Sequence, residues 1–278
     1  MIAAGFDHCL DLLRRYDRDR YLAVLYLPAP VRPAVAALYA FDVEIGRIPA
    51  LVSEPAPGEI RLQWWREVIE GRRESGNHPV AATLIEAIDR HDLPVATFCS
   101  YLEARVFDLY HDPMPDRAAF EGYCGETASA LLTLSARCAG AASGENVADA
   151  CGHGGVAQTV AATLRQLAAQ RHQRRCFVPA DLLAEAGLTV DEWLNAAPSP
   201  RHLAAVGAFI DWGRAHLAGS RAAMARAGGG LGTALLALAP VEAWLAGAER
   251  AGMAVFSRPP EVTALRRHWL FLRAALRA

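Results

Sequence analysis

The chain has 278 residues, 53% of them hydrophobic, enough to bury a large core in one sizeable domain. The 28 basic side chains nearly balance 30 acidic ones, and the net charge of −2 gives no electrostatic case for nucleic acid. No lysine occurs, which excludes a Schiff-base lysine and a P-loop lysine.

Helical spacing dominates from residue 31 onward, and no period-two strand pattern appears. Residues 31–45 set Val31, Val35, Leu38, Phe41 and Ile45 on one side, with Pro33 near the start, where proline is tolerated. Residues 59–70 carry Ile60, Trp64, Val68 and Ile69 on one face; the adjacent Trp64 and Trp65 cannot share it, so one of them packs in the core. Asn77-His78-Pro79 opens a helix over 80–90 that His91-Asp92-Leu93-Pro94 ends. Further helices are expected over 95–110, 117–140, 152–171, 202–226 and 231–250, with proline-rich loops at 55–58, 113–115 and 198–200. The glycine-rich stretch 227–232 lies between two helices and reads as a turn. The longest apolar run, around 231–245, is broken by Pro240 and Glu242 and falls short of the ~20 residues of a spanning helix.

Other chemistries find no support. The six cysteines form no C-x-x-C pair and read as reduced core residues. The nine histidines show neither H-E-x-x-H nor an i, i+4 pair. Ser129 and Ser135 lack a G-x-S-x-G setting. Asp7, Asp11 and Arg14 stand where a signal peptide would carry its apolar stretch, so none is expected.

Several ordered segments resemble the squalene/phytoene synthase family. Arg20-Tyr21-Leu22-Ala23 through Leu27-Pro28 and Arg32 is similar to its opening segment, and Tyr39-Ala40-Phe41 to the start of its first metal-binding helix. Trp64-Trp65-Arg66-Glu67, Tyr123-Cys124 with Thr127-Ala128-Ser129, and Val156 to Pro179 follow in the family's order. The likeness spans roughly residues 16 to 180. It implies a single all-α domain over 1–278, an isoprenoid-synthase-like helical bundle around a central cavity. Ala40-Phe41-Asp42-Val43-Glu44, Val52-Ser53-Glu54, His78-Pro79-Val80-Ala81 and Arg174-Arg175 through Phe177-Val178-Pro179 resemble a non-catalytic branch, the assembly factors of respiratory complex I.

In catalytic members of that family, aspartates four apart on two helices hold magnesium on a diphosphate. Gly46, Arg47 and Ala50 occupy the matching positions of the first segment, and Gln166 and Gln170 those of the second. Magnesium takes hard, charged oxygen ligands; the glutamines offer neutral carbonyls, Gly46 and Ala50 offer nothing, and Arg47 brings a positive charge. These are therefore expected to be vestigial metal positions, with no cofactor and no catalytic group. Asp42 and Glu44 diverge by ~200° on a helix and are expected at a salt-bridged helix surface. Arg165, Arg171, Arg174 and Arg175, with Tyr123, fall where the family's diphosphate would lie. They fit either metal-free phosphate binding or a solvated basic helix end. The resemblance implies a cytoplasmic protein, or one peripheral at the inner membrane face, whose partner is an assembling respiratory complex. Two other readings stay open: a head-to-head prenyl transferase using magnesium, and a binding protein for prenyl or lipid phosphates.

Overall fold

A computed structural model describes residues 2–141, 143–228 and 230–277. Among the described residues there are fifteen α-helices and no strand. In chain order they are α1 (Ile2–Tyr16), α2 (Arg18–Tyr26), α3 (Arg32–Arg47), α4 (Pro55–Ile69), α5 (Pro79–His91), α6 (Val95–Arg105), α7 (Arg117–Cys124), α8 (Ala130–Cys138), α9 (Glu145–His172), α10 (Ala180–Glu185), α11 (Val190–Asn195), α12 (Pro200–Ala227), α13 (Leu231–Ala234), α14 (Val241–Ala251) and α15 (Ala264–Ala275).

Local chemistry explains many of the starts. Prolines open α3, α4, α5 and α12, where the missing N–H is not needed. Asp17, His78, Asp116 and Thr263 accept backbone N–H groups as N-caps, and Thr189 forms a reciprocal capping box with Glu192.

Three expected helices are interrupted. The 95–110 segment tightens to a 3₁₀ turn after Arg105. The 117–140 segment contains a π turn over Gly125–Ser129. The 231–250 segment breaks before Pro240, which cannot donate into a helix and becomes the N-cap of α14. By contrast, α9 begins seven residues ahead of the expected 152, at Glu145.

The long helices α9 and α12 pack together as the centre of the bundle. Gly213 permits this approach, and Gly155 lets α9 close on the π turn that ends at Ser129. A Cβ on Gly213 would stand 2.7 Å from Val160 Cγ1, and one on Gly155 would stand 2.1 Å from Ser129 Oγ and 2.5 Å from its backbone nitrogen. A continuous buried core runs from Cys9 to Phe271. At its N-terminal end Phe41 meets Trp65, Phe98 and Tyr101 at ring distances of 5.2, 5.8 and 5.1 Å; Trp65 is the buried member of its pair. All six cysteines are unpaired and five are buried. Burial pushes the thiols of Cys9, Cys124, Cys138 and Cys176 up to about 12, which leaves them unreactive at neutral pH.

Candidate functional site

A cavity of about 760 Å³ opens between α2, α3, α6, α9 and α14. Its wall is highly charged, with five arginines (Arg20, Arg47, Arg105, Arg165, Arg175) against four aspartates (Asp17, Asp19, Asp42, Asp108). Each aspartate is already engaged by the protein.

Asp42, on α3, is the centre of the first network. It pairs with Arg20 and Arg105 and accepts a hydrogen bond from the Tyr101 hydroxyl. Its side chain is only 13% exposed. Burial alone would push its carboxyl up; the two guanidiniums outweigh that and hold it well below the usual carboxylate range. Arg105 extends the network to Asp108 at 2.8 Å and to the Tyr123 hydroxyl at 2.9 Å, and Tyr123 donates to Asp108 at 2.9 Å. The expectation of a surface carboxylate at Asp42 is corrected: the salt bridges exist, but they face the cavity. Helical periodicity places a residue on a face, and only the arrival of α2 and α6 turns that face inward.

Asp19, on α2, is the centre of the second. Arg165 reaches it at 3.1 Å and the Trp244 indole N–H donates at 2.8 Å. The Arg267 Nε stands 3.3 Å from Asp19 Oδ1 without hydrogen-bond alignment, so that oxygen lacks a partner. Arg165 and Arg267 lie against the Trp244 ring at 4.2 and 5.3 Å. Burial raises the Asp19 carboxyl above its ordinary value, and the two arginines offset only part of the shift. Asp17 caps α2 through the Arg20 N–H at 3.0 Å.

Two cavity arginines stay out of these networks. Arg47 sits 3.9 Å over the ring of Tyr16, and Arg175 lies 5.8 Å from the ring centre of Phe177. Among the described residues neither forms an ion pair or a side-chain hydrogen bond. Gln166, Gln170 and Gln173 line the same wall.

Of the positions expected at the site, Gly46, Arg47, Gln166, Gln170, Tyr123, Arg165 and Arg175 line the cavity. Three do not. Ala50 follows the end of α3 in a 3₁₀ turn, so it does not share a helical face with Gly46. Arg171 turns the other way, donating to the Ala196 carbonyl at 2.8 Å and lying 5.2 Å from the Phe256 ring centre. Arg174 is exposed and takes a left-handed backbone, φ 57°, where α9 ends. Sequence reasoning missed Arg20, Arg105, Asp108 and Trp244. Arg20 and Arg105 meet Asp42 from 22 and 63 residues away, and Trp244 meets Asp19 from 225, so no local spacing marks these contacts.

A magnesium–diphosphate site does not fit this wall. The positions expected from the resemblance to hold metal, Gly46, Arg47, Gln166 and Gln170, carry no carboxylate, and the four aspartates bind arginines. No group of three acidic, histidine or cysteine side chains among the described residues is arranged to hold a metal.

The family model for squalene/phytoene synthase matches residues 13–266. The chain belongs to the squalene/phytoene synthase family. Among curated relatives, the human protein named NADH dehydrogenase (ubiquinone) complex I, assembly factor 6 is 32% identical over 196 residues, 69% of this chain and 59% of that protein. The Drosophila melanogaster homolog of the same name is 29% identical over 200 residues. The matched region thus spans less than two thirds of these relatives' length. A presqualene diphosphate synthase of Rhodopseudomonas palustris is 27% identical over 176 residues, 62% of each chain. Among solved structures, a ligand-bound dehydrosqualene synthase superposes with a TM-score of 0.82 at 17% identity, covering 99% of this chain and 97% of that one. The squalene synthase of Alicyclobacillus acidocaldarius gives 0.73 at 20% identity, covering 90% and 95%. These likenesses establish the isoprenoid-synthase-like fold.

Proposed function

We propose that this chain is a non-catalytic member of its family, one domain over 1–278, that acts in the assembly of respiratory complex I. The observation that carries the reading is the internal use of every cavity carboxylate. Asp42 binds Arg20 and Arg105, Asp19 binds Arg165, and Asp108 binds Arg105. Ionising a prenyl diphosphate needs cationic charge on the leaving oxygens, and metal assistance of this kind is worth several kcal/mol. At ~1.4 kcal/mol per tenfold in rate, its loss removes many orders of magnitude. The names of the relatives supply the assembly role. By the same reading the partner is a protein of the assembling complex, the chain needs no metal, and it works in the cytoplasm, reaching the inner face of the membrane peripherally. Among the described residues no helix is long and apolar enough to cross a membrane.

A second reading has its own support. Arg47 and Arg175, without ion-pair partners among the described residues, share the cavity with the amides of Gln166, Gln170 and Gln173. Guanidiniums bind phosphate without metal. The cavity thus suits a prenyl or lipid phosphate held without turnover.

Diphosphate release from farnesyl and geranylgeranyl diphosphate, with and without magnesium, tests both. No release is expected from the natural chain, nor from Gln166→Asp/Gln170→Asp, because Gly46 and Arg47 at the facing end of α3 still offer no carboxylate and Asp42 is held by Arg20 and Arg105. Binding of farnesyl diphosphate in the presence of a chelator, lost in Arg47→Gln/Arg175→Gln, supports the second reading. Turnover by the natural chain would make it a head-to-head prenyl transferase. A deletion strain with normal isoprenoids and low complex I activity is the expected result for the assembly role, and normal complex I activity overturns it.

A further inference from the structure

The last helix presents two apolar faces, and one of them is left exposed among the described residues. On the inner side of α15, Phe271 is fully buried and stacks on Tyr26 at 6.4 Å, while Arg267 reaches Asp19. On the outer side Leu265, Trp269 and Leu272 are 83%, 59% and 38% exposed, and Leu276, the C-cap with helical backbone angles, is 79% exposed. At about 100° per residue these four fall within an arc of roughly 60°. They form a stripe, not scattered surface residues.

Charge decides what fits the stripe. Arg266, Arg273 and Arg277 are exposed and occupy the adjoining arc, all on one flank. None of the three belongs to an ion pair among the described residues. Residues 264–277 contain no aspartate or glutamate. Leucines with a tryptophan, edged by arginine and free of acid, match the boundary of an anionic bilayer: the apolar stripe enters the acyl edge, the indole sits at headgroup depth, and the guanidiniums meet lipid phosphates.

We infer that α15 docks the protein flat on an anionic lipid bilayer through Leu265, Trp269, Leu272 and Leu276, with Arg266, Arg273 and Arg277 reading the surface charge. The inference deepens the peripheral membrane contact of the proposed function by naming its surface; failure to bind vesicles leaves the role in assembly, read from complex I activity, untouched.

The test is co-sedimentation of the full chain with phosphatidylcholine vesicles, with and without phosphatidylglycerol. The natural chain is expected to bind the phosphatidylglycerol vesicles, and less so as salt rises. Trp269→Ser/Leu276→Ser should lower that binding at least about tenfold, since each buried methylene adds to interfacial affinity. Arg266→Gln/Arg273→Gln/Arg277→Gln should remove the preference for anionic lipid, each arginine contributing about fivefold. The substituted side chains are exposed, so unchanged circular dichroism and melting temperature are expected in both variants. Failure of the natural chain to bind either vesicle overturns the inference. So does equal vesicle binding by the serine variant, or a shift from dimer to monomer in that variant without any change in vesicle binding, which would assign the stripe to a second copy of this chain.

Discussion

At the scale of single residues, Asp42 determines what this cavity can do. A carboxylate at a cavity wall is a potential cation ligand only while its oxygens are free. Arg20 takes one oxygen, and Arg105 and Tyr101 share the other. The result is a buried ionic cross-link between α2, α3 and α6. Removing one member of such a cluster leaves uncompensated buried charge, so Asp42→Asn should destabilise the fold by about 3 kcal/mol. Its pH dependence follows from the depressed carboxyl. A carboxylate held below its unfolded value contributes stability that is fully present above the ordinary range and is lost as pH falls through it. Urea midpoints of the natural chain and Asp42→Asn should therefore stay apart by a constant gap from pH 7 to about 5 and converge below about 4. A gap independent of pH down to pH 3 would mean that the network is held by packing and not by charge.

At the scale of elements, the close contact of α9 with the π turn ahead of α8 fixes the cavity's far wall. Thr127 and Ala128, in that turn, and Gln158 to Gln170, on α9, line the same space. Ser129 donates to the Gly152 carbonyl at 3.1 Å, and Gly155 leaves room for the Ser129 backbone. Gly155→Ala puts a methyl against backbone atoms that cannot rotate away. The expected loss is about 1 to 3 kcal/mol, read as a lower melting temperature, with Gly152→Ala, whose added Cβ meets nothing within 4 Å, as the tolerated control. An unchanged melting temperature in Gly155→Ala would show that the turn yields. This element also marks where the sequence is legible. The apolar spacing of α3 and α5 is regular enough to place both to within one or two residues of their ends. The π turn leaves no trace, because Gly125–Ser129 reads as an ordinary helical stretch. The expected helix over 152–171 omits the head of α9, residues 145–151, which is followed by Gly152, Gly154 and Gly155; glycines lower helix propensity, yet Gly154 and Gly155 are required by packing. At the site, the place of Gly46, Arg47, Gln166 and Gln170 in the cavity wall is legible from the resemblance. The arginines that neutralise the aspartates are not, because Arg20 and Asp42, or Asp19 and Arg165, become neighbours only through tertiary structure.

At the scale of the whole molecule, one carboxylate joins the two ends of the chain. Asp19, on α2, meets Arg165 from α9, Trp244 from α14 and Arg267 from α15. The Trp244 ring lies against both guanidiniums. This seam closes the bundle beside the cavity, yet its electrostatics are less favourable than those at Asp42. The raised Asp19 carboxyl contributes stability present below the ordinary carboxylate range and lost as pH rises through its folded value, opposite in sign to Asp42. The seam therefore holds a carboxyl whose burial its arginines do not fully offset, and one of its oxygens lacks a hydrogen bond among the described residues. Such a junction opens locally before the core does. Arg267→Met preserves the stem packed on Trp244 and removes the charge, leaving Asp19 to Arg165 and the indole N–H. Amide hydrogen exchange over 264–277 is expected to accelerate at least about tenfold, while protection in the buried stretch of α9 stays unchanged. If α15 keeps its protection in Arg267→Met, the stacking of Phe271 on Tyr26 holds the helix unaided, and the ionic seam serves only to occupy the carboxylate.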